Sequence, residues 1–429
     1  MSTPILIGVV VMLVLLFMKV PVFLSVIAGS ATYFFLNPDI SAMILTQRLS
    51  SGVQSLSLLA VPFFVAAGVF MNSSGVARRI MNLCDVLTGR MHGGLAQVNV
   101  LLSTLMGGLS GSSLADAAME ARMLVPEMRK KGMSNAFSSV VTAASAMITP
   151  LIPPGIAMIL VGSLANVSVG KLFVSGIGVG LLLCVGEMAT VAVVARKRGY
   201  APNRDHKLTW AEVWPVLRSA LLPLCLPIII IGGIRIGVFT ATEAGAVAVV
   251  YSVILGVIYK ELDFKKFMEG MKETVISTTG IMLIIGAASG LSWILTKERI
   301  PQTLTEMMIS MTDNKYLFLI MVNIFLLIVG MFIEGNAALI VLVPLLYPIA
   351  TGVYGIDPIQ FCMVVIFNMA IGSLTPPMGT LMFVVCNETK CPLKDFIKES
   401  WPFYIVLIGE LLLFTFVPFA TTGLVNLIY

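Results

Sequence analysis

Gly132–Pro154 reads GMSNAFSSVVTAASAMITPLIPP, and Gly355–Pro377 reads GIDPIQFCMVVIFNMAIGSLTPP. Displaced by 223 residues, the second lies on the first without a gap. Each sits in an apolar stretch long enough to cross a bilayer and ends in a Pro-Pro pair. Proline removes an amide donor and clashes with the preceding turn. Two adjacent prolines beside Gly155, or near Gly379, predict a broken helix, with a simple kink as the milder alternative. A helix broken at mid-membrane exposes carbonyls and half-helix ends, which hydrocarbon does not tolerate, so such breaks survive where they line a cavity enclosed by protein.

The repetition extends outward. At the same shift Lys171 meets Lys394, Phe173 meets Phe396 and Glu187 meets Glu410. At a shift of 224, Asp39 meets Asp263, Asn99 meets Asn323 and Gly111 meets Gly335. Leu124-Val125-Pro126 recurs as Leu342-Val343-Pro344, at a shift of 218. Chance likeness of two apolar segments is the rival reading. Prolines, glycines and polar residues recurring at nearly one offset argue for duplication. The expected units are 1–205 and 206–429.

Composition names the solvent. Of 429 residues, 58% are hydrophobic and 11% charged, against about 25% charged in soluble domains, and mean hydropathy is +0.99. No soluble core buries that much apolar surface, so the chain reads as an all-α membrane protein. The net charge of +5 lies in short loops between apolar runs and is no nucleic-acid signal. Cysteines 84, 184, 225, 362, 386 and 391 have neither zinc spacing nor a secreted framework. Met1–Phe17 lacks a basic leader region and a small-residue cleavage site, so it reads as a first span rather than a removed signal.

Basic residues orient the spans. Arg78, Arg79 and Arg90 precede Gly107-Gly108-Leu109-Ser110-Gly111-Ser112-Ser113, and Arg129-Lys130-Lys131 follow it. With both flanks cytoplasmic, 91–128 is a re-entrant hairpin with its tip at Ser110–Ser113, its arms of about 17 and 15 residues being short for full spans. Around it, 4–18 cross inward to Lys19, 21–36 outward, 55–71 inward, 134–163 outward, and 172–195 return to Arg196-Lys197-Arg198. Five crossings are odd, so the second unit is inverted and its hairpin, 316–352, opens outward, followed by a broken helix over 358–388. Its outer flank, 352–358, has no Lys or Arg. The scheme puts 19 of the 27 Lys and Arg inside and 6 outside, with Arg122 and Arg218 unassigned. The expectation is about ten transmembrane helices plus two hairpins in two inverted repeats. Segments 39–53 and 263–276 read as amphipathic surface helices, an ordinary loop being as good a reading for the first.

Such breaks and tips are where secondary transporters hold cations with carbonyls and hydroxyls and aim helix N-termini at anions. Two cation sites are expected. One draws on Ser110, Gly111, Ser112, Ser145, Thr149 and Pro150, the other on Glu334, Gly335, Asn336, Gly372, Ser373 and Thr375. A substrate cavity between the tips is expected to use Ser112, Ser113, Asp116, Pro153, Pro154, Gly155, Asn336, Thr375, Pro376, Pro377 and Gly379. The plainer alternative is that the tip serines only satisfy freed backbone groups. Glu120 and Arg122 are expected near the cytoplasmic end, snorkelling or paired. Glu187 and Glu410 read as structural partners, and Glu243 carries little. His92 and His206 sit in predicted cytoplasmic regions, which argues against a histidine relay. No H-E-x-x-H, G-x-S-x-G or Walker pattern occurs, so no hydrolytic or ATP-coupled machinery is visible.

Gly-Gly-Leu-Ser-Gly-Ser-Ser-Leu-Ala-Asp at 107–116, with Pro-Pro-Gly at 153–155 and Pro-Pro-Met-Gly at 376–379, resembles the large membrane subunit of tripartite ATP-independent periplasmic (TRAP) transporters over essentially the whole chain. The resemblance implies a multi-pass bacterial inner-membrane permease with an elevator mechanism, in which hairpins and broken helices slide against a scaffold. It also implies co-transported sodium ions, a small four-helix membrane partner, separate because this chain has no room for it, and a periplasmic solute-binding protein. The implied substrates are organic acids, notably sialic acids and then C4-dicarboxylates. The hairpins and Thr-Pro-Pro segments are also similar to divalent anion/sodium symporters, so a stand-alone sodium- or proton-coupled carboxylate symporter is the alternative.

Overall fold

The computed structural model describes residues 3–18 and 20–429; Lys19, the expected inner end of the first span, lies outside the described residues with Met1 and Ser2. The described chain is helical, with no strand among the described residues. Eight helices there are long and apolar enough to cross a membrane, and Asn135–Leu151 with Ile156–Ala165, bent by 41°, make a ninth if taken as one span. Two of the eight, Lys315–Phe332 and Gly335–Gly352, are the arms of the second hairpin. Thr3–Phe17 and Val22–Leu36 have 15 residues each, short of the roughly 20 of a full span.

Both hairpins form. Gly94–Ser110 reverses at Gly111, whose φ of +65° only glycine adopts freely, into Ser113–Met123. Lys315–Phe332 reverses at Ile333–Glu334 into Gly335–Gly352. Both Pro-Pro segments break their helices. Asn135–Ser145 gives way to a short turn, Thr149–Leu151, and restarts at Ile156. Pro358–Leu374 stops, and Thr380–Thr389 resumes. Pro153-Pro154 and Pro376-Pro377 are both cis.

Equivalent positions make equivalent contacts. Ser145 donates to Asn99 Oδ1 (3.1 Å) in the first half, and Asn368 to Asn323 Oδ1 (2.7 Å) in the second. A Cβ on Gly107 would lie 2.8 Å from the Thr149 Cα, and one on Gly372 would lie 2.6 Å from the Gly330 Cα. Each hairpin thus presses its first arm onto its own broken helix at backbone distance. Lipid is as apolar as leucine, so close approach of small residues and interhelical hydrogen bonds hold such helices together. The two broken helices are also joined, Asn135 donating to the Thr389 carbonyl (3.1 Å) and Ser139 to Thr389 Oγ1 (2.8 Å). A separate small core, including Ile5, Val26, Phe34, Leu45, Leu291 and Ile294, binds the first two helices to Met43–Ser51 and to the end of Phe264–Lys297. Leu6, Val10, Leu13, Val14 and Phe17 form the exposed, lipid-suited face of the first helix.

The structure corrects one expectation and adds elements the sequence did not assign. Segment 263–276 is no separate surface helix: it is the first part of the 34-residue helix Phe264–Lys297. Its counterpart is divided, Met43–Ser51 ending at Gly52 before Leu56–Ser73, where the second half has Ile276 and no break. Short helices Val76–Thr88 and Ile300–Met311, again 224 residues apart at their starts, occupy stretches to which no span was assigned. Phe419–Ile428 is an added terminal helix, held where Ser175 donates to the Thr421 carbonyl (2.6 Å).

Gly372→Val is expected to unseat the second hairpin. Its branched side chain must displace the Gly330 backbone, at a cost of about 1–3 kcal/mol or more, read as a lowered unfolding temperature in detergent. Unchanged thermal stability would contradict the close packing at this point.

Candidate functional site

The tips and the breaks meet. One cavity of about 60 Å³ is lined by Gly111, Ser112 and Ser113 of the first tip, Glu334, Gly335 and Asn336 of the second, Pro150 of the first break, and Ser373 and Thr380 around the second. Ala157, Leu339 and Met369 supply apolar wall. The wall holds no Lys, Arg or His.

What the cavity offers instead is helix ends. Ser113 opens Ser113–Met123, Gly335 and Asn336 open Gly335–Gly352, Thr380 opens Thr380–Thr389, and Ala157 is the second residue of Ile156–Ala165. Four helix N-termini therefore border one space. Each carries unpaired amides and about half a positive charge. Ser112 caps the first, accepting from the Ala115 amide (3.4 Å), and Glu334 the second, accepting from the Ala337 amide (2.9 Å). Asn336 makes no hydrogen bond through its side chain. The opposite helix ends contribute Gly111, Pro150 and Ser373 to the wall. Helix-end amides suited to an anion thus border one small space.

Behind the first tip runs a buried polar chain. Asp116 is fully buried; its Oδ2 accepts from Ser110 (2.5 Å) and Thr149 (3.0 Å), while Oδ1 has no partner. Ser103 donates to Glu120 Oε2 (2.7 Å) and lies 2.9 Å from Ser145 Oγ. Asn99 accepts from Ser145 and donates to Thr142 (2.6 Å). Glu120 is therefore not a snorkelling residue: it is fully buried and bound to the first arm. Arg122 is exposed and 3.7 Å from Glu388, a surface ion pair worth little. Glu187 is buried with neither oxygen partnered, and Glu410 Oε1 lies where a Cβ on Gly186 would fall, so no structural hydrogen-bond partner is found for Glu187.

Several expected site residues lie off the cavity wall. Pro153, Pro154 and Gly155 are buried behind the first tip, the Pro154 carbonyl 3.0 Å from where a Cβ on Gly111 would stand. They shape the tip rather than face the space. Gly372 is consumed by its contact with Gly330. Thr375 donates to the Ile371 carbonyl of its own helix (2.7 Å), and Pro376, Pro377 and Gly379 form the connection beyond it, outside the cavity lining. Ser145 belongs to the buried chain, and Thr149 reaches the tip through Asp116. Thr380, one residue past the motif as read, is the polar wall residue the sequence did not reveal, as the apolar Ala157, Leu339 and Met369 were not; its signal was its place as first residue of the resumed helix.

The family profile described as "Tripartite ATP-independent periplasmic transporter, DctM component" matches residues 9–420. The sialic acid TRAP transporter large permease protein SiaM of Vibrio cholerae is 38% identical over 405 residues, covering 94% of each chain. The C4-dicarboxylate TRAP transporter large permease protein DctM of Pseudomonas aeruginosa is 36% identical over 402 residues, 93% of each. The solved YdaH transporter of Alcanivorax borkumensis shares the fold, with a TM-score of 0.59 over 86% of each chain at 12% identity. A multi-pass helical protein of the inner membrane, and a permease rather than an enzyme, the chain belongs to the DctM-component family of tripartite ATP-independent periplasmic transporters.

Proposed function

We propose that this chain is the large permease subunit of a sodium-coupled importer of an organic acid, with a sialic acid such as N-acetylneuraminate as first candidate and a C4-dicarboxylate as second. The observation that carries the reading is the meeting of four helix N-termini around one cavity with no fixed side-chain cation in its wall. Amides and hydroxyls hold a carboxylate there, and bound sodium ions supply the positive charge that offsets its desolvation. The first ion takes carbonyl and hydroxyl oxygens around Ser110–Ser112 and Pro150, with Asp116 one step behind. The second takes those around Glu334–Asn336 and Ser373. The names of the relatives support sialic acid and C4-dicarboxylate as candidates.

The two units 1–205 and 206–429 are read as inverted repeats. Their hairpins and broken helices form one transport block, tied by the Gly107–Thr149 and Gly330–Gly372 approaches and the Asn135 and Ser139 bonds to Thr389. This block slides, elevator-fashion, against the helices around the smaller core. A small four-helix membrane subunit braces that scaffold, and a periplasmic binding protein delivers the substrate.

The test is uptake into proteoliposomes holding both membrane subunits, with binding protein and sodium varied independently. Uptake should require both, and an inward-negative potential should speed it, since one net charge moved is worth about 2.3 kcal/mol per 100 mV. Uptake unchanged when potassium replaces sodium would rule out the coupling. Uptake without binding protein at the full rate would favour a stand-alone symporter.

A further inference from the structure

A second cleft, of about 440 Å³, lies between the scaffold and the transport block. Its scaffold wall comes from the end of Met43–Ser51, the Gly52–Ser55 link and the latter half of Phe264–Lys297. Its other wall is Ser163 and Leu164 of one half-helix, with Ile340 and Pro344 of the second hairpin. These two helices also wall the central cavity, through Ala157 and through Asn336 and Leu339. From Asn336 to Pro344 is eight residues, about 12 Å at 1.5 Å per residue, so the two spaces are neighbours along the same helices.

The cleft is polar where it needs no polarity for packing. Arg48 is its one charged wall residue, and its guanidinium makes no ion pair, hydrogen bond or ring contact. The hydroxyls of Ser55, Ser163, Ser289 and Ser292 are likewise unbonded. Trp293 lines it, fixed by stacking on Phe34 at 5.7 Å between ring centres. The scaffold wall is preformed: a Cβ on Gly52 would lie 2.8 Å from Ser289 Oγ, and one on Gly286 would lie 2.9 Å from the Leu49 carbonyl. An exposed, unpaired guanidinium lining one water-accessible space of ligand size together with serine hydroxyls of both walls is the donor set of a carboxylate site.

We propose that this cleft is a capture subsite on the path to the central cavity, in which Arg48 binds the carboxylate of a small organic acid before the tips do. It rests on the reading above, and it supplies the fixed cation that the central wall lacks. Weak, exposed capture suits a waystation, because a bidentate bond to a fully buried arginine would hold the substrate rather than pass it on.

The test uses the two-subunit complex with binding protein, and N-acetylneuraminate and succinate as probes. Arg48→Gln should raise KM for the transported acid about tenfold or more while the maximal rate stays within about twofold, with Arg48→Lys between. An unchanged KM in Arg48→Gln, with the wild type active, overturns the subsite and leaves the transporter reading intact. A binding arm works without transport. With Trp210, Trp214 and Trp401 changed to Phe, Trp293 is the remaining tryptophan. In phosphatidylcholine nanodiscs its fluorescence should respond saturably to N-acetylneuraminate or succinate, not to uncharged N-acetylmannosamine, and Arg48→Gln should abolish the response. A response to added phosphatidylglycerol but to neither acid would make the occupant a lipid headgroup and overturn the proposal. Binding without wild-type uptake would support the subsite and count against the transport reading.

Discussion

Asp116→Asn is expected to lower sodium-driven uptake by about a hundredfold or more while the protein remains inserted and folded. The substitution keeps the shape and removes the charge. Asp116 is fully buried and ties its own arm to the tip and the break: Ser110 at the first tip and Thr149 at the first break both donate to its Oδ2, while its Oδ1 is unpartnered. An uncompensated carboxylate oxygen in a low-dielectric interior is costly unless something positive visits it. A sodium ion at the tip is that visitor, so coupling depends on the charge. Losing one partner of a buried charge pair costs about 3–5 kcal/mol. The loss should appear as a raised sodium requirement before it appears as a lowered maximal rate. Ser110→Ala should show the same signature more weakly, since it removes one hydrogen bond to the carboxylate, about 1.5–3 kcal/mol. A sodium dependence identical to wild type in Asp116→Asn would remove Asp116 from the coupling site.

The backbone of this arrangement was legible because its signals are covalent. Pro-Pro at 153–154 and 376–377 stops a helix whatever surrounds it, and Gly111, at a φ of +65°, marks the first reversal by glycine's own freedom. Their recurrence at nearly one offset then carried the tip-to-tip cavity, which the structure shows. Tertiary choices were not legible. Proline chemistry alone made Pro153–Gly155 and Pro376–Gly379 look like cavity wall, yet which face of a break meets the cavity depends on how the hairpin packs on it. The hairpin packs against the first break, with a Cβ on Gly108 lying 2.9 Å from the Pro153 carbonyl, and the wall falls to Pro150 and Thr380 instead. Glu120 was misplaced for a related reason. Counting residues from the tip put it near the cytoplasmic end, but the partner that buries it, Ser103, lies on the other arm. The paired asparagines Asn99 and Asn323 were visible as a match, and only the structure shows that each holds its hairpin to its broken helix. Continuity of Phe264–Lys297 was not legible from its counterpart: Ile276 continues a helix at the position where, in the first half, Met43–Ser51 has ended at Gly52.

Asn336→Asp is expected to leave the fold as stable or more stable and to raise the substrate KM about a hundredfold or more. The two effects have opposite signs because they have one cause. Asn336 is the second residue of Gly335–Gly352, at the positive end of that helix, and its side chain has no partner. An aspartate there gains about 0.3–1 kcal/mol from the helix dipole. It occupies the same field with a permanent anion, beside Glu334, whose carboxylate already caps the helix at the Ala337 amide. A substrate carboxylate entering the space between the tips then meets a second fixed anion beside Glu334, at the helix end that had offered it unscreened amides. Sodium would still be attracted, so sodium binding should hold or tighten while substrate affinity falls. That split separates helix-end recognition of an anion from general damage to the site, which would weaken both. Thermal unfolding, sodium dependence and uptake of N-acetylneuraminate and succinate on the same preparations measure all three quantities. A variant that takes up its acid with wild-type KM would show that the substrate carboxylate does not sit at these helix ends.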